Sequence, residues 1–163
     1  MLFRSLFVSA PLHDIGKVGV PDNILMKPGK LTDEEFLMMR KHAEYGQKII
    51  HSSAEKIEGN NFLILAGKIA ATHHEKWDGS GYPNGLAGED IPLCGRIMAV
   101  ADVYDALISK RCYKPPFSHE KASGIILEDK GTFFDPVVVD EFFSIEAQTR
   151  EFLDRKRSLE GRV

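Results

Sequence analysis

The sequence is poor in cysteine, in long apolar runs and in surplus positive charge. Its two cysteines, Cys94 and Cys112, are too few for a disulfide framework, so we expect a cytoplasmic protein in a reducing compartment. No stretch reaches the roughly 20 apolar residues of a membrane span, and apolar residues 1–10 are interpreted as the end of a core helix rather than a signal peptide. A formal net charge of −3 argues against a nucleic-acid polymer as partner but allows a small nucleotide.

The sequence also lacks internal repeats and any segment with the period of two that is typical of β-strands. Thr32 and Glu35 instead form a capping box, and Phe36, Met39 and Ala43 follow at helical spacing. The same reasoning predicts helices at 33–51, 61–76, 95–110, 118–130 and 137–143, and a shorter helical turn over 12–17. With 163 residues, 43% of them apolar, the chain fits one all-α domain with its own core.

Two segments rich in turn-forming residues are predicted to be loops. The first, 19–30, contains two prolines; the second, 77–93, is dense in glycine. A loop as long as the second one inside a compact domain is usually functional or disordered. We interpret Trp77 as a core anchor of that loop rather than a platform for a nucleotide base. The predicted domain covers 1–149, and 150–163 form a charged C-terminal tail.

Candidate metal ligands lie in four separate predicted helical segments. Taken singly, a histidine fits a surface or hydrogen-bonded core position, but imidazole and carboxylate together suit Fe, Mn or Zn. Asp102 is the strongest candidate for a metal ligand. Its predicted helix is apolar on nearly all sides, and a buried carboxylate must be paired with a cation or coordinated to a metal. Asp105, which shares its face, is interpreted as a cap or salt bridge. The candidates are His13, Asp14, His42, His73, His74 and Asp102.

Four motifs together resemble one known family. The run His13-Asp14-Ile15-Gly16-Lys17 is similar to the signature of the HD-superfamily metal-dependent phosphohydrolases. The stretch at 73–83, which ends in Gly81-Tyr82-Pro83, resembles the stretch that defines the HD-GYP subgroup. Residues 101–107 and 131–136 are also similar to that subgroup. The resemblance covers roughly 8–143, and four motifs in the right order make it specific.

The resemblance implies an HD-domain helical bundle with a long Gly-rich loop that hydrolyses cyclic di-GMP to linear pGpG or GMP in bacterial second-messenger signalling. It implies two or three divalent metal ions, iron or manganese, held by the six candidates. Asp14 would bridge two metals, and a bridging hydroxide would be the nucleophile. Lys17 would contact the scissile phosphate or assist the leaving oxygen. Lys110, Arg111 and Lys114 would hold the second phosphate, and Arg111 and Lys114 best match the subgroup's phosphate-binding pair.

Three interpretations are open for the Gly-Tyr-Pro loop, which consists of Gly81, Tyr82 and Pro83. It is a packed surface turn, a lip near the site, or a surface recognised by other signalling proteins. In the last case the chain, as a catalytically weak domain, would be a nucleotide-binding or protein-docking module instead of an enzyme.

One departure from the family pattern concerns the N-terminus. Family members usually carry a further Glu or His ligand upstream of the His-Asp pair, but none of the 12 residues before His13 is His, Asp or Glu. We therefore expect a chain truncated at its N-terminus, without the upstream ligand helix. It is a fragment of a longer protein with a sensor or receiver domain, a mispredicted start, or a degenerate domain.

Overall fold

The described part of the protein is built from short helices. The computed structural model describes residues 2–55, 61–109, 115–145, 148, 150 and 151. Its α-helices are α1 (Leu2–Ser9), α2 (Asp22–Leu25), α3 (Asp33–Arg40), α4 (His42–Ala54), α5 (Asn61–Thr72), α6 (Leu93–Ile108), α7 (His119–Glu128) and α8 (Pro136–Ser144). Turns of 3-10 helix cover Ala10–Leu12, Ile15–Gly19 and Gly88–Asp90. The described residues contain no β-strand, so the predicted all-α fold is confirmed.

Helix α5 lies at the centre of the N-terminal part, packed against α1, α4 and α6. Its buried positions are mostly small or β-branched, including Ala66, Ile69 and Ala70. Alanine lets neighbouring helices approach closely, and Ile50 of α4 completes this apolar cluster with Ala66 and Ala70. The carboxyl end of α5 is therefore enclosed by other elements, and the next residue, His73, is buried.

A second apolar cluster joins α6, α7 and α8. It contains Val100, Ile126 and Val139, with Phe134 from the turn before α8. Each of these side chains is at least nine-tenths buried, which contributes about 1.5–3 kcal/mol per large side chain.

The motif at 131–136 fixes the start of α8 and supports the long loop. Asp135 caps α8 by accepting from the Val137 amide, and its other oxygen pairs with Arg96 at 2.6 Å. The Trp77 amide donates to the Phe133 carbonyl at 3.0 Å. Trp77 therefore anchors the loop to the second cluster.

The predicted single helix at 33–51 is wrong, because the structure contains two helices there. Thr32 and Glu35 form the expected capping box. Helix α3 nevertheless ends at Arg40, since the Lys41 amide bonds to the Met38 carbonyl in a tighter turn and α4 starts at His42. The break gives His42 a position at the start of a new helix.

The predicted helix at 61–76 is too long. Helix α5 ends at Thr72. The Nδ1 atom of His73 lies 3.1 Å from the carbonyl oxygens of both Ile69 and Ala70, in hydrogen-bond contact with the last turn of the helix. The loop predicted at 19–30 contains the single helical turn α2, because the Ile24 and Leu25 amides both donate to Pro21. The helical turn predicted over 12–17 is instead two 3-10 turns, Ala10–Leu12 and Ile15–Gly19, with His13 and Asp14 between them. The ends of α6, α7 and α8 differ from the predictions by one or two residues.

The described residues include no helix that is long and apolar enough to cross a membrane. Most of the predicted charged tail at 150–163 lies outside the described residues. At its start, Arg150 pairs with Glu120 at 2.6 Å.

Candidate metal centre

His13 and Asp14 lie between two 3-10 turns, Ala10–Leu12 and Ile15–Gly19. The His13 ring donates through Nδ1 to the Ala10 carbonyl at 2.8 Å. Because a carbonyl can only accept, Nδ1 carries a proton in this contact, and Nε2 faces the centre. That atom lies 3.3 Å from Asp14 Oδ2 and 3.6 Å from Asp102 Oδ1.

A close backbone contact brings this turn to α4. A Cβ atom built on Gly16 would lie 1.9 Å from the His42 carbonyl oxygen and 2.3 Å from the Gly46 amide nitrogen. Only glycine allows this approach, since both neighbours are backbone atoms that cannot rotate away. The contact places Asp14 Oδ1 3.4 Å from His42 Nε2.

The three other imidazoles come from α4 and from the end of α5. His42 donates through Nδ1 to the Met39 carbonyl at 2.7 Å, and the Nδ1 of His73 is held by the last turn of α5. The Nε2 atoms therefore point inwards. His42 Nε2 lies 3.5 Å from His73 Nε2 and 3.1 Å from His74 Nε2.

Asp102 reaches the centre from α6, which packs closely on α5. A Cβ on Gly95 would lie 2.2 Å from the Thr72 hydroxyl oxygen, so a larger residue there would push α6 away. Asp102 is half-buried and pairs with His13, as its position in an apolar helix requires. Asp105 is exposed, one turn further on.

The structure brings all six candidate ligands together. One ligand atom from each of Asp14, His42, His73 and His74 lies within 4.8 Å of the other three. His13 and Asp102 adjoin this group through the contacts of His13 with both carboxylates. The donor set and spacing fit a metal ion, and His13 with Asp102 adds donors for a second one.

The pKa values of the histidines in the centre are shifted in opposite directions, upwards for His13 and downwards for His73 and His74. Burial disfavours charge on His13, but hydrogen bonds with Asp102 and Asp14 outweigh it and raise the pKa of His13 to about 10. His13 in turn lowers the pKa of Asp102. For Asp14, burial is outweighed by His13 and Lys17, which hold the pKa of this carboxyl well below its usual range.

The other three imidazoles of the centre, those of His42, His73 and His74, have lowered pKa values that favour the neutral form. Burial, followed by the charges of His13 and His42, lowers the pKa of His73 to about 4. Burial, with His73 and His42 as neighbours, lowers the pKa of His74 to about 3, and burial also lowers the pKa of His42. Neutral imidazole and ionised carboxylate are the forms that bind metals.

Lys17 flanks the centre on its solvent side. Its Nζ atom lies 2.5 Å from Asp14 Oδ2, and the side chain is 42% exposed. A cation in this position can meet an anionic ligand that approaches the centre. The other predicted phosphate-binding residues, Lys110, Arg111 and Lys114, lie outside the described residues.

The Gly-Tyr-Pro loop forms a lip of the centre. The Tyr82 amide donates to the His74 carbonyl at 3.1 Å, and the two rings stack with centroids 4.7 Å apart. Gly81 passes so close to the chain that its Cβ would lie 2.4 Å from the Lys76 amide nitrogen. Burial raises the pKa of Tyr82 above its usual range, so the phenol remains protonated.

Glu75 is a functional residue that the sequence reasoning missed. It is buried, and its carboxylate accepts from the Asn84 amide at 2.7 Å and from the Leu86 amide at 3.1 Å. The loop after Tyr82 is thus tied to the histidine pair. The sequence feature that could have indicated this role is the position of Glu75, directly after His73-His74 and before a long loop whose backbone amides need acceptors.

Comparisons with known proteins identify the family independently of the site geometry. A family model described as HD domain matches residues 3–138. A Vibrio cholerae protein named cyclic di-GMP phosphodiesterase is 58% identical over 86% of this chain and 29% of its own length. A second Vibrio cholerae protein, named 3'3'-cGAMP-specific phosphodiesterase 2, is 50% identical over 85% of this chain and 27% of its own. The chain therefore spans less than a third of these curated relatives.

A solved structure shares the fold. It is the crystal structure of a cyclic GMP-AMP specific phosphodiesterase of Vibrio cholerae, with a TM-score of 0.52 and 21% identity. The alignment covers 90% of this chain and 38% of that one. The motifs, the helical architecture and the family match are mutually consistent, and the chain belongs to the HD domain family, as its resemblance to the HD-GYP subgroup predicted.

Proposed function

We propose that this chain is the catalytic domain of a metal-dependent phosphodiesterase that hydrolyses cyclic di-GMP to linear pGpG or GMP in bacterial signalling. The observation that carries the proposal is the group of Asp14, His42, His73 and His74, whose ligand atoms lie within 4.8 Å of one another. The relative named cyclic di-GMP phosphodiesterase supports this substrate over other phosphate esters.

The proposed cofactors are two or three divalent ions, iron or manganese. Mixed imidazole and carboxylate donors suit these metals. Asp14, His42, His73 and His74 would hold one ion, and His13 and Asp102, with Asp14 shared, would hold a second. A bound ion of this kind acidifies water and offsets the negative charge of a phosphodiester.

The protein's own side chains would bind and orient the substrate. Lys17, beside Asp14 and partly exposed, is placed to contact the scissile phosphate or to protonate the leaving oxygen. Lys110, Arg111 and Lys114 remain the proposed ligands of the second phosphate. Tyr82, stacked on His74, would limit the access of water and substrate from one side.

The wider setting is also a proposal. The scarcity of cysteine supports a cytoplasmic location. The aligned part covers 29% and 27% of these two relatives, which supports an additional sensor or receiver domain in the complete protein.

Hydrolysis of cyclic di-GMP by wild type and Asp14→Asn tests the function. The substitution keeps size and removes the charge shared by the metals, so we expect turnover to be abolished. Asp140→Asn, at an exposed position on α8, is the matched control and should be as active as wild type. All three proteins must be loaded with Fe²⁺ or Mn²⁺ first. Equal turnover in wild type and Asp14→Asn would refute the proposed centre.

The second candidate is a catalytically weak module for nucleotide binding or protein docking. It is favoured by Phe36, a 47% exposed aromatic residue that contacts Tyr82 edge-on and extends the loop into an apolar surface. Metal-loaded wild type that binds cyclic di-GMP or a partner through Tyr82 without cleaving the nucleotide would establish this alternative. In that case Tyr82→Ala should weaken binding.

A further inference from the structure

Arg40, the last residue of α3, lies beside the lip of the centre. Its guanidinium carbon is 4.3 Å from the centroid of the Tyr82 ring and 5.9 Å from that of Phe36. Tyr82 in turn stacks on His74. One aromatic ring therefore connects the guanidinium to a candidate metal ligand.

This cation has no anionic partner in the described part of the chain. The ion pairs found there do not include Arg40, although its side chain is half-buried. The carboxylates of the centre are already engaged, Asp14 by Lys17 and Asp102 by His13. Contact with the face of a tyrosine ring offsets only part of the cost of a partly desolvated charge. An anionic ligand would complete the site.

The guanidinium lies over the Tyr82 ring. A guanidinium carries its N–H donors along its edge, where two of them can make parallel bonds to a phosphate. Lys17 already occupies the position next to the metal ligands. Arg40 lies over the Tyr82 ring, which stacks on His74, and so places a second cation beside the lip of the centre.

We propose that Arg40 is a further ligand of the second, non-scissile phosphodiester of a cyclic dinucleotide, in addition to the residues proposed for it above, and that it anchors the substrate without taking part in bond cleavage. The inference rests on the proposed function, which supplies a substrate with two phosphates. It predicts that Arg40 contributes to ground-state binding and to the transition state equally. A change at this position should then alter KM and leave kcat almost unchanged.

The test compares Arg40→Gln, Arg40→Lys and wild type on four substrates. These are cyclic di-GMP, 3'3'-cGAMP, cyclic di-AMP and bis(p-nitrophenyl) phosphate, which has a single phosphodiester and no second one. For Arg40→Gln we expect KM to rise roughly 10- to 100-fold on every cyclic dinucleotide that wild type cleaves, as for loss of a charged hydrogen-bonded pair. Arg40→Lys should recover part of the loss, since it keeps the charge but not the fork. Activity on bis(p-nitrophenyl) phosphate should not change.

The matched control is Lys41→Gln, which removes the neighbouring exposed cation and should change each KM less than about 2-fold. A loss confined to guanine-containing substrates would overturn the proposal and assign Arg40 to a base edge. A parallel loss of metal and of bis(p-nitrophenyl) phosphate cleavage would overturn it in favour of a structural role through Tyr82 and His74.

Failure of the proposed function gives a different result. If wild type cleaves no cyclic dinucleotide, equilibrium dialysis with the same three compounds decides the role of Arg40 alone. Weaker binding of all three by Arg40→Gln would support the proposal. Equal binding by wild type and variant, or no binding by wild type, would overturn it.

Discussion

At the scale of single residues, the imidazoles of the centre differ in the charge they carry. Hydrogen bonds to two carboxylates keep His13 protonated, whereas burial keeps His73 and His74 neutral. The same side-chain type is therefore driven in opposite directions within one cluster. The difference follows from its neighbours, since only His13 contacts both Asp14 and Asp102.

These shifts predict how the stability of the metal-free protein depends on pH. The pKa of His73 and His74 is lowered to about 4 and 3, so below pH 6.5 the unfolded chain binds protons that the folded chain does not. Stability should fall as pH drops from 6.5 towards 4. The pKa of His13 is raised to about 10, so its contribution is present below pH 6.5 and lost as pH rises towards 10.

Urea unfolding of EDTA-treated protein at pH 4.5, 6.5 and 9 measures this dependence. The free energy of unfolding should be highest near pH 6.5. His51→Gln serves as the control, because that side chain is 73% exposed, and the variant should follow the wild-type profile. A stability that is constant from pH 4.5 to 6.5 would show that the buried imidazoles are not held neutral.

Lys17 gives a second prediction at this scale. Lys17→Ala should keep its metal content and lower kcat on cyclic di-GMP by about 10²-fold if the ammonium group assists proton transfer. Lys30→Ala, at an exposed position, should have no effect. Metal analysis by mass spectrometry accompanies the rate measurement. Metal loss in proportion to the rate would instead identify Lys17 as a counter-ion that keeps Asp14 in place.

At the scale of elements, the contact between the His13-Asp14 turn and α4 depends on one glycine. Gly16→Ala would place a methyl group against the His42 carbonyl and the Gly46 amide. We expect a loss of about 1–3 kcal/mol in the free energy of unfolding, as for overpacking, together with weaker metal binding.

Gly124→Ala is the control for the Gly16 substitution. Its added Cβ would meet no atom within 4 Å in the interior of α7, so this change should be neutral or stabilising by up to about 1 kcal/mol. Thermal and urea unfolding of both variants, with a metal titration, make the comparison. Equal stability of the two variants would show that the turn can move away from α4 at no cost.

The Gly-Tyr-Pro loop depends on the buried Glu75 carboxylate in a comparable way. Glu75→Gln places a donor group where the Asn84 and Leu86 amides need acceptors, and should cost about 1–3 kcal/mol. Amide hydrogen exchange should accelerate at Asn84 and Leu86 in this variant. Glu89→Gln, an exposed change in the same loop, should leave both amides protected. Unchanged protection in Glu75→Gln would mean that other contacts hold the loop.

At the scale of the whole molecule, the fold class and the order of the motifs could be predicted from the sequence. Helical periodicity and the Thr32 cap depend on local spacing, which is visible in the chain itself. The grouping of the candidate ligands could be expected only from the family resemblance. Nothing in local spacing indicates that Asp102 of α6 meets His13.

What could not be predicted depends on contacts between distant segments. The break at Lys41 and the end of α5 at Thr72 follow from particular hydrogen bonds, not from helix propensity. The close approach at Gly16 and the burial of Glu75 require the neighbouring element to be in place. These contacts determine where the candidate ligands lie relative to one another, whereas the periodic pattern determines only which segments form the helices that carry them.

The central claim is that one cluster of histidine and aspartate side chains holds catalytic metal ions. Anomalous diffraction from crystals of metal-loaded protein, collected above and below the iron and manganese absorption edges, tests it most directly. The account predicts one peak at ligand distance from Asp14, His42, His73 and His74, and a second between His13 and Asp102 that also contacts Asp14. Peaks elsewhere on the protein, or an empty cluster in crystals whose protein contains stoichiometric metal, would contradict it.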